Sequence, residues 1–283
     1  MTYRVGIIGF PVRHSLSPRV HQAAFATLGL DICYEMWDTP PDALPQRIHS
    51  LRTPGVLGAN VTIPHKEAVL PLLDTLTETA RSIGAVNTIV HQNGALQGEN
   101  TDAPGFLRAL EEAGFPLRGS RALVLGAGGS ARAVVHALAQ ANLAHLTLSA
   151  RTLARAQGLA PLVEGKTPLS IVPWEEGALA RAAAQVDLIV HCTPLGMAHT
   201  PYAGQTPLRW EHIPPSAFVY DLVYTPEETP LLREARRAGA RAVGGLGMLV
   251  HQGALAFELW TRRPAPVEVM RRAAVCALKE MQR

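Results

Sequence analysis

Residues 121–141 constrain the fold more than any other stretch of the chain. Arg121-Ala-Leu-Val-Leu125 is an apolar run of strand length. It passes straight into Gly126-Ala127-Gly128-Gly129-Ser130-Ala131, and the helix-type Arg132–Ala141 follows. The pattern is Gly-x-Gly-x-x-Ala between a strand and a helix. The first glycine permits a sharp turn, Gly128 lets the backbone approach a pyrophosphate, and Ala131 lets the helix lie close to the strand. Free N–H groups and a partial positive charge at the helix N-terminus suit the phosphates. Glycine turns also arise for steric reasons alone; the strand–turn–helix context raises this one to a dinucleotide site.

The next strand discriminates between nucleotides. Binders of the non-phosphorylated form place an acid about 20 residues past the glycines, to bond the ribose 2′-hydroxyl. Here His145–Ser149 runs into Ala150-Arg151-Thr152, with Arg155 close behind. Arg151 stands 25 residues after Gly126, and no acid occurs between Gly126 and Glu164. A guanidinium forks onto a 2′-phosphate and stacks on an adenine face. The expectation is NADP rather than NAD. The competing reading is a solvated arginine after a strand.

Short β-type runs alternate with helical stretches along nearly the whole chain, which predicts a largely parallel α/β architecture. In the first hundred residues the strands are Tyr3–Ile8, Cys33–Trp37, Gly58–Ile63 and Ala85–His91. The helices are Pro18–Leu28, Ala43–Leu51 and Lys66–Leu73. Asn93-Gly94 marks a hairpin turn. Asp102-Ala-Pro104 opens a helix that Gly114 closes. From Arg121 six strands follow with helices between them, the count of a full doubly wound, Rossmann-type nucleotide domain. Two final helices, Leu246–Trp260 and Pro266–Met281, are followed by no strand and are expected to return to the first domain. The expected division is residues 1–101 with 252–283, and residues 102–251.

Several polar residues interrupt apolar runs of the first domain. Asn60 and Thr62 share one face of a strand end. Asn87 sits in Ile83-Gly-Ala-Val-Asn-Thr-Ile-Val90, although asparagine is disfavoured in strands. Each needs partners, which a hydroxylated ligand or a turn would supply. Lys66 is one of three lysines against 23 arginines, and it stands where a helix is expected to begin. A cation there opposes the macrodipole, which favours proton exchange; a solvated surface lysine is the plain alternative. Ser15 and Ser17 flank Leu16 before Pro18. Ser17 reads as an N-cap, and two hydroxyls beside free N–H groups also suit a carboxylate. Asp102 reads as a helix cap that can also face a cleft.

Composition excludes other classes. With 47% hydrophobic and 17% charged residues and a net charge of +3, the chain can fill real cores and carries no like-charge block of a nucleic-acid binder. Cys33, Cys192 and Cys276 are too scattered for a zinc site or a disulfide framework, so no metal is expected. No apolar run reaches the ~18 residues of a membrane span. The first residues read as a strand and not as a targeting leader. A cytoplasmic protein is expected.

Taken together, Ser15-Leu-Ser-Pro18, Asn60-Val-Thr-Ile-Pro-His-Lys66, Gly84-Ala-Val-Asn-Thr88, Asn100-Thr-Asp102, Gly126-Ala-Gly-Gly129, Asp221-Leu-Val-Tyr-Thr-Pro226 and Gly245-Leu-Gly-Met-Leu-Val-His-Gln252 resemble the shikimate dehydrogenase family. The resemblance implies an N-terminal α/β substrate domain, a C-terminal nucleotide domain and a cleft between them. It implies NADPH-dependent reduction of 3-dehydroshikimate to shikimate, with Lys66 and Asp102 as the catalytic pair. Ser15 and Ser17 would hold the carboxylate, and Asn60, Thr62, Asn87, Tyr224 and Gln252 the ring. For NADP(H), the glycine turn with Gly126, Ala127, Gly128, Gly129 and Ser130 would take the diphosphate. Ala150, Arg151, Thr152 and Arg155 would take the adenosine end. Thr193, Leu222, Gly245 and Met248 would line the nicotinamide end. The family often has asparagine where this chain has Ala150, which puts one hydrogen bond in doubt but not the charge. It often has asparagine where Thr225 stands, with little expected effect. A small-molecule enzyme follows, monomeric or homodimeric, with no nucleic-acid or membrane partner. A quinate/shikimate dehydrogenase is the near alternative. A methyltransferase would want an acid where Arg151 stands, and a non-catalytic nucleotide sensor would not need both Lys66 and Asp102.

Overall fold

The computed structural model describes residues 2–281. The chain divides into two compact units. One takes in the residues up to Gly105 together with those from Leu249 on; the other is Phe106–Met248. The first unit holds β1 (Tyr3–Gly9), α1 (Ser17–Thr27), β2 (Ile32–Asp38), α2 (Leu44–Ser50), β3 (Val56–Val61), β4 (Thr75–Leu76), α3 (Glu78–Ile83), β5 (Thr88–Gln92), β6 (Ala95–Glu99) and the start of α4 (Asp102–Glu112). The second holds β7 (Arg121–Leu125), α5 (Gly129–Ala139), β8 (His145–Ala150), α6 (Leu153–Gln157), β9 (Leu169–Pro173), α7 (Glu176–Ala183), β10 (Leu188–His191), β11 (Phe218–Asp221), α8 (Pro230–Arg237), β12 (Arg241–Gly244) and the start of α9 (Leu246–Thr261). The rest of α9 and α10 (Val267–Met281) belong to the first unit.

The first sheet has the order β2-β1-β3-β5-β6-β4. Strand β1 runs parallel to β2 and β3, whereas β5 is antiparallel to both β3 and β6. The expected largely parallel sheet is therefore mixed here. The cause is the two-residue hairpin: Asn93 and Gly94 both take positive φ (51° and 81°), and Gln92 faces Ala95. Such a turn can join only antiparallel neighbours. The consequence matters for the site. The carboxyl ends of β1, β3 and β6 and the amino end of β5 share one edge of the sheet. Ile8, Trp37, Ile48, Leu51, Val61, Ile89 and Leu96 pack into a buried core around these strands.

Four local expectations are corrected. Residues 66–73 form turns and a short 3-10 turn, Leu70–Leu72, instead of an α-helix. Pro71 has no N–H to give to the carbonyl four residues back, so the helix cannot propagate, and the macrodipole argument for Lys66 falls away with it. The N-cap of α1 is Leu16, with no side-chain cap, and Ser17 is the first helical residue; the Ser15 hydroxyl accepts from the Ser17 N–H at 3.2 Å. At α4 the cap comes from Asn100, whose Oδ1 accepts from the Asp102 and Ala103 N–H groups at 3.1 and 3.3 Å. Asp102 is inside the helix, and its carboxylate is left for other work. Strand β5 also starts later than expected, at Thr88, so that Asn87 precedes the ladder.

Helix α1 packs on α10 and carries a buried histidine. The His21 ring stacks on Tyr34 at 4.7 Å and lies 5.4 Å from Trp260. Among the described residues its Nδ1 has no hydrogen-bond partner. Burial lowers its pKa from 6.5 to about 3. The folded ring thus titrates below the unfolded one, so its contribution is complete above pH 6.5 and is lost as the pH falls toward 3. The total is on the order of 5 kcal/mol. Urea melts from about pH 7 to about pH 4 should show this decline, and His21→Leu should flatten it. An equal slope in both proteins would remove His21 as the cause.

The second sheet is all parallel, in the order β12-β11-β10-β7-β8-β9. Read from the other edge, it is third-second-first-fourth-fifth-sixth in chain order, the doubly wound Rossmann arrangement with its switch point between β7 and β10. Leu123, Leu125, Ile189, Val219 and Leu231 sit in its core. The near-continuous apolar runs of β7, β10 and β11 are what a sheet buried on both faces requires.

Candidate active site

The first unit gathers a polar cluster at the shared sheet edge. Lys66 follows β3 by a short turn, and its carbonyl accepts from the Val86 N–H at 2.8 Å. Its Nζ donates to Asp102 Oδ2 at 2.6 Å. Both side chains are nearly buried, at 11% and 5% exposure. Two opposite charges withdrawn from water in this way persist only when well paired. Asp102 Oδ1 is held in turn by Asn87 Nδ2 at 2.9 Å.

Asn87 is the hub. Its Nδ2 also faces Thr101 Oγ1 at 2.8 Å and Gln252 Oε1 at 3.2 Å, and its Oδ1 accepts from the Thr101 N–H at 2.7 Å. Asn60 Nδ2 donates to the Asn87 carbonyl and to Thr88 Oγ1 at 3.3 and 3.2 Å, while its Oδ1 accepts from Tyr34 Oη at 2.7 Å. The two asparagines that break apolar runs therefore find protein partners. Three acceptors around the two N–H groups of Asn87 leave oxygen lone pairs to spare, on Gln252 and Thr101 above all.

Of the residues named from the sequence, the structure brings Lys66, Asp102, Asn87, Asn60 and Gln252 into one network. Ser15 and Thr62 follow β1 and β3 at the same edge, with Ser17 at the start of α1. Tyr224 is in the second unit, after β11. Tyr34, Thr88 and Thr101 complete the network, and the sequence reading does not single them out. Thr101 carries a signal, since Asn100-Thr101-Asp102 is a polar triple directly after a strand. Tyr34 carries none, because its role depends on β2 lying beside β1.

In the second unit the named residues follow the carboxyl ends of parallel strands, where such sheets hold their ligands. Gly126 follows β7 with φ of 122°, and a Cβ there would stand 3.1–3.2 Å from Thr193 and Cys192. A Cβ at Gly128 would meet nothing within 4 Å, so open space lies over the turn. Gly129 begins α5 with Ser130 next, and Ala131 is fully buried against the sheet. Ala150 ends β8; Arg151, Thr152 and Arg155 follow and are exposed. The Arg151 guanidinium lies 5.7 Å over the Tyr202 ring, and neither arginine has a carboxylate partner among the described residues. Thr193, Leu222 and Gly245 follow β10, β11 and β12, and Met248 lies in the first turn of α9. An open glycine turn with two uncommitted guanidiniums past the second strand fits a phosphorylated dinucleotide.

Among the described residues no His, Cys, Asp and Glu group could hold a metal ion, and no helix is long and apolar enough to cross a membrane.

Comparison with known proteins places these features. Residues 7–89 match the shikimate dehydrogenase substrate binding domain, residues 109–201 the shikimate/quinate 5-dehydrogenase model, and residues 245–275 the shikimate 5′-dehydrogenase C-terminal domain. The chain is 51% identical to a shikimate dehydrogenase (NADP(+)) of Symbiobacterium thermophilum, covering 97% of this chain and 94% of that one. It is 49% identical to that of Moorella thermoacetica, over 95% and 91%. A crystal structure of shikimate 5-dehydrogenase from Thermus thermophilus, in complex with NADP(H) and shikimate, superposes with a TM-score of 0.87 at 44% identity, over 98% and 100%. With this identity sustained along nearly its full length, the chain belongs to the shikimate dehydrogenase family.

Proposed function

We propose that the protein interconverts 3-dehydroshikimate and shikimate with NADP(H), in the biosynthesis of chorismate and the aromatic amino acids. The observation that carries this reading is the buried Lys66–Asp102 pair at 2.6 Å, tied through Asn87 to Gln252. A carbonyl reduction needs a proton for the developing alkoxide, and a lysine held against a carboxylate supplies one. Lys66 Nζ gives its proton to the oxygen as the carbon is reduced. Asp102 orients Lys66 and bonds the neighbouring hydroxyl. Asn60, Thr62, Asn87, Tyr224 and Gln252 hold the ring hydroxyls, and Ser15 and Ser17 hold the carboxylate. In this reading residues 1–101 with 252–283 form the substrate domain, and residues 102–251 form the nucleotide domain.

Bound NADPH supplies the hydride. Its diphosphate would lie on Gly126–Ser130. Its adenosine end would lie on Ala150, Arg151, Thr152 and Arg155, and its nicotinamide end near Thr193, Leu222, Gly245 and Met248. The arginine at the end of the second strand and the two serines favour the strict shikimate, NADP type over a quinate-accepting one. A cytoplasmic location and a monomeric or homodimeric state go with the same reading.

Absorbance at the reduced-nicotinamide band tests it. Turnover is expected with shikimate and NADP, and much weaker turnover with quinate or with NAD. No turnover of shikimate with either nucleotide would reject the reading, and equal rates on quinate would replace it by the broader specificity.

A further inference from the structure

The second unit buries a titratable pair that the reaction above does not use. His191 ends β10 and Asp221 ends β11, and the two are register partners in the parallel ladder. Both side chains are 0% exposed. His191 Nδ1 meets Asp221 Oδ1 at 2.8 Å, and His191 Nε2 meets Thr193 Oγ1 at 2.5 Å. Asp221 also accepts from the Val223 N–H at 3.0 Å and from the Thr229 hydroxyl at 2.6 Å. Thr229 in turn caps α8, accepting from the Leu232 N–H at 3.2 Å. Thr193 Oγ1 also accepts from the Leu195 N–H at 3.3 Å. A continuous chain of hydrogen bonds thus runs from the cap of α8 through Asp221 and His191 to Thr193, joining the loops after β10 and β11.

We propose that His191 is a positioning residue, which acts through Thr193 to fix the nicotinamide end of the nucleotide site. The proposal rests on the reading of this unit as the NADP-binding half. A carboxylate only accepts, so the His191 hydrogen sits on Nδ1. In the neutral ring Nε2 accepts the Thr193 hydroxyl hydrogen, while Asp221 has its three donors in His191, Val223 and Thr229. The Thr193 hydrogen is committed inward and one lone pair takes the Leu195 N–H, so toward a ligand Thr193 offers its one remaining lone pair. It is thereby set as an acceptor for a hydroxyl or amide N–H donor of the nucleotide. Asp221, the partner of this histidine, also holds the Val223 N–H in the loop that carries Leu222.

Three proteins and three readouts test this on the full chain: His191→Asn, Thr193→Val and the double variant. In His191→Asn the introduced amide nitrogen reaches where Nδ1 stands, so Asp221 keeps its donor and the fold is retained, while the bond to Thr193 is lost. NADPH affinity, measured by nucleotide fluorescence without substrate, should weaken about three- to tenfold in each single variant. The double variant should bind no more weakly than Thr193→Val alone, since the effect passes through one hydroxyl. In turnover the His191→Asn loss should fall on KM for NADP rather than on kcat. Nitrogen NMR of the imidazole should show the hydrogen on Nδ1. Additive losses, unchanged affinity in either single variant, or a hydrogen on Nε2, alone or together with one on Nδ1, would overturn the proposal. A wild-type protein that binds no NADPH would sink the underlying reading; normal wild-type binding with an unaffected His191→Asn would sink only the positioning role.

Discussion

Replacing Lys66 by alanine is expected to lower kcat for shikimate oxidation by about 100-fold or more, with KM for shikimate changed only a few-fold. General acid–base groups contribute about 10²–10⁴ in rate, and a group that acts on the proton in flight is felt in kcat more than in ground-state binding. The geometry gives Lys66 no obvious substitute. Its Nζ lies 2.6 Å from Asp102, whereas the other side chains bonded around Asp102 and Asn87 are amides and hydroxyls. The variant also leaves a nearly buried carboxylate without its cation, which costs about 3–5 kcal/mol where burial is complete. Asn87 still donates to Asp102, so the loss of stability should fall below that range. Asp102→Asn keeps the shape and can still accept from Asn87, but it turns an amide NH2 toward the Lys66 ammonium and leaves that nearly buried cation unpaired, so it too should lose stability as well as turnover. Lys66→Ala with kcat within about threefold of the parent, in a sample shown to be folded by circular dichroism, would remove Lys66 from the reaction.

Where sequence and structure agree, the determinants are local. The hairpin at Asn93-Gly94 needs only positive φ at two adjacent positions, and the pair of residues states that directly. The turn from β7 into α5 needs a glycine where a Cβ would press on Cys192 and Thr193, and the spacing of small residues displays it. Where they differ, a neighbour decides. Lys66 reads as a helix start because it follows Pro64-His65, but a further proline, Pro71, stops the helix. Asp102 reads as a cap because it precedes Pro104. Asn100, just before it, supplies that function and leaves the carboxylate to Lys66. The site divides in the same way. Residue types at strand ends can be picked out, because polar groups in apolar runs stand out. The wiring cannot: that Tyr34 bonds Asn60, or that His191 pairs with Asp221, depends on which strands lie side by side. His191 and Asp221 do leave a trace. Two apolar strands of equal length each end in a titratable residue, and in a parallel sheet such ends meet when the strands are neighbours.

Replacing Arg151 by alanine is expected to raise KM for NADP about 10- to 100-fold and to leave KM for NAD within about threefold. A charge-assisted bond from a guanidinium to a phosphate is worth about 1.5–3 kcal/mol, and each ~1.4 kcal/mol is tenfold. Arg151 is placed for this and for little else. It follows β8 directly, it is exposed, and no carboxylate neutralises it among the described residues. Its guanidinium lies over the Tyr202 ring at 5.7 Å, a contact worth about 0.5–1 kcal/mol at an exposed site. Stability should therefore change by less than about 1 kcal/mol, and the effect should be confined to the nucleotide that carries the extra phosphate. Arg155 lies one turn further along, in α6, and would retain part of the charge. The double variant Arg151→Ala/Arg155→Ala should therefore lose more than the single one. Salt gives an independent check. Raising ionic strength from about 0.05 to about 0.5 M should weaken NADP binding in the parent and do so less in the variant, because screening acts on the charge that was removed. An unchanged ratio of NADP to NAD efficiency in Arg151→Ala would return this arginine to the plain reading, a solvated side chain after a strand, and would move the choice of nucleotide to another part of the site.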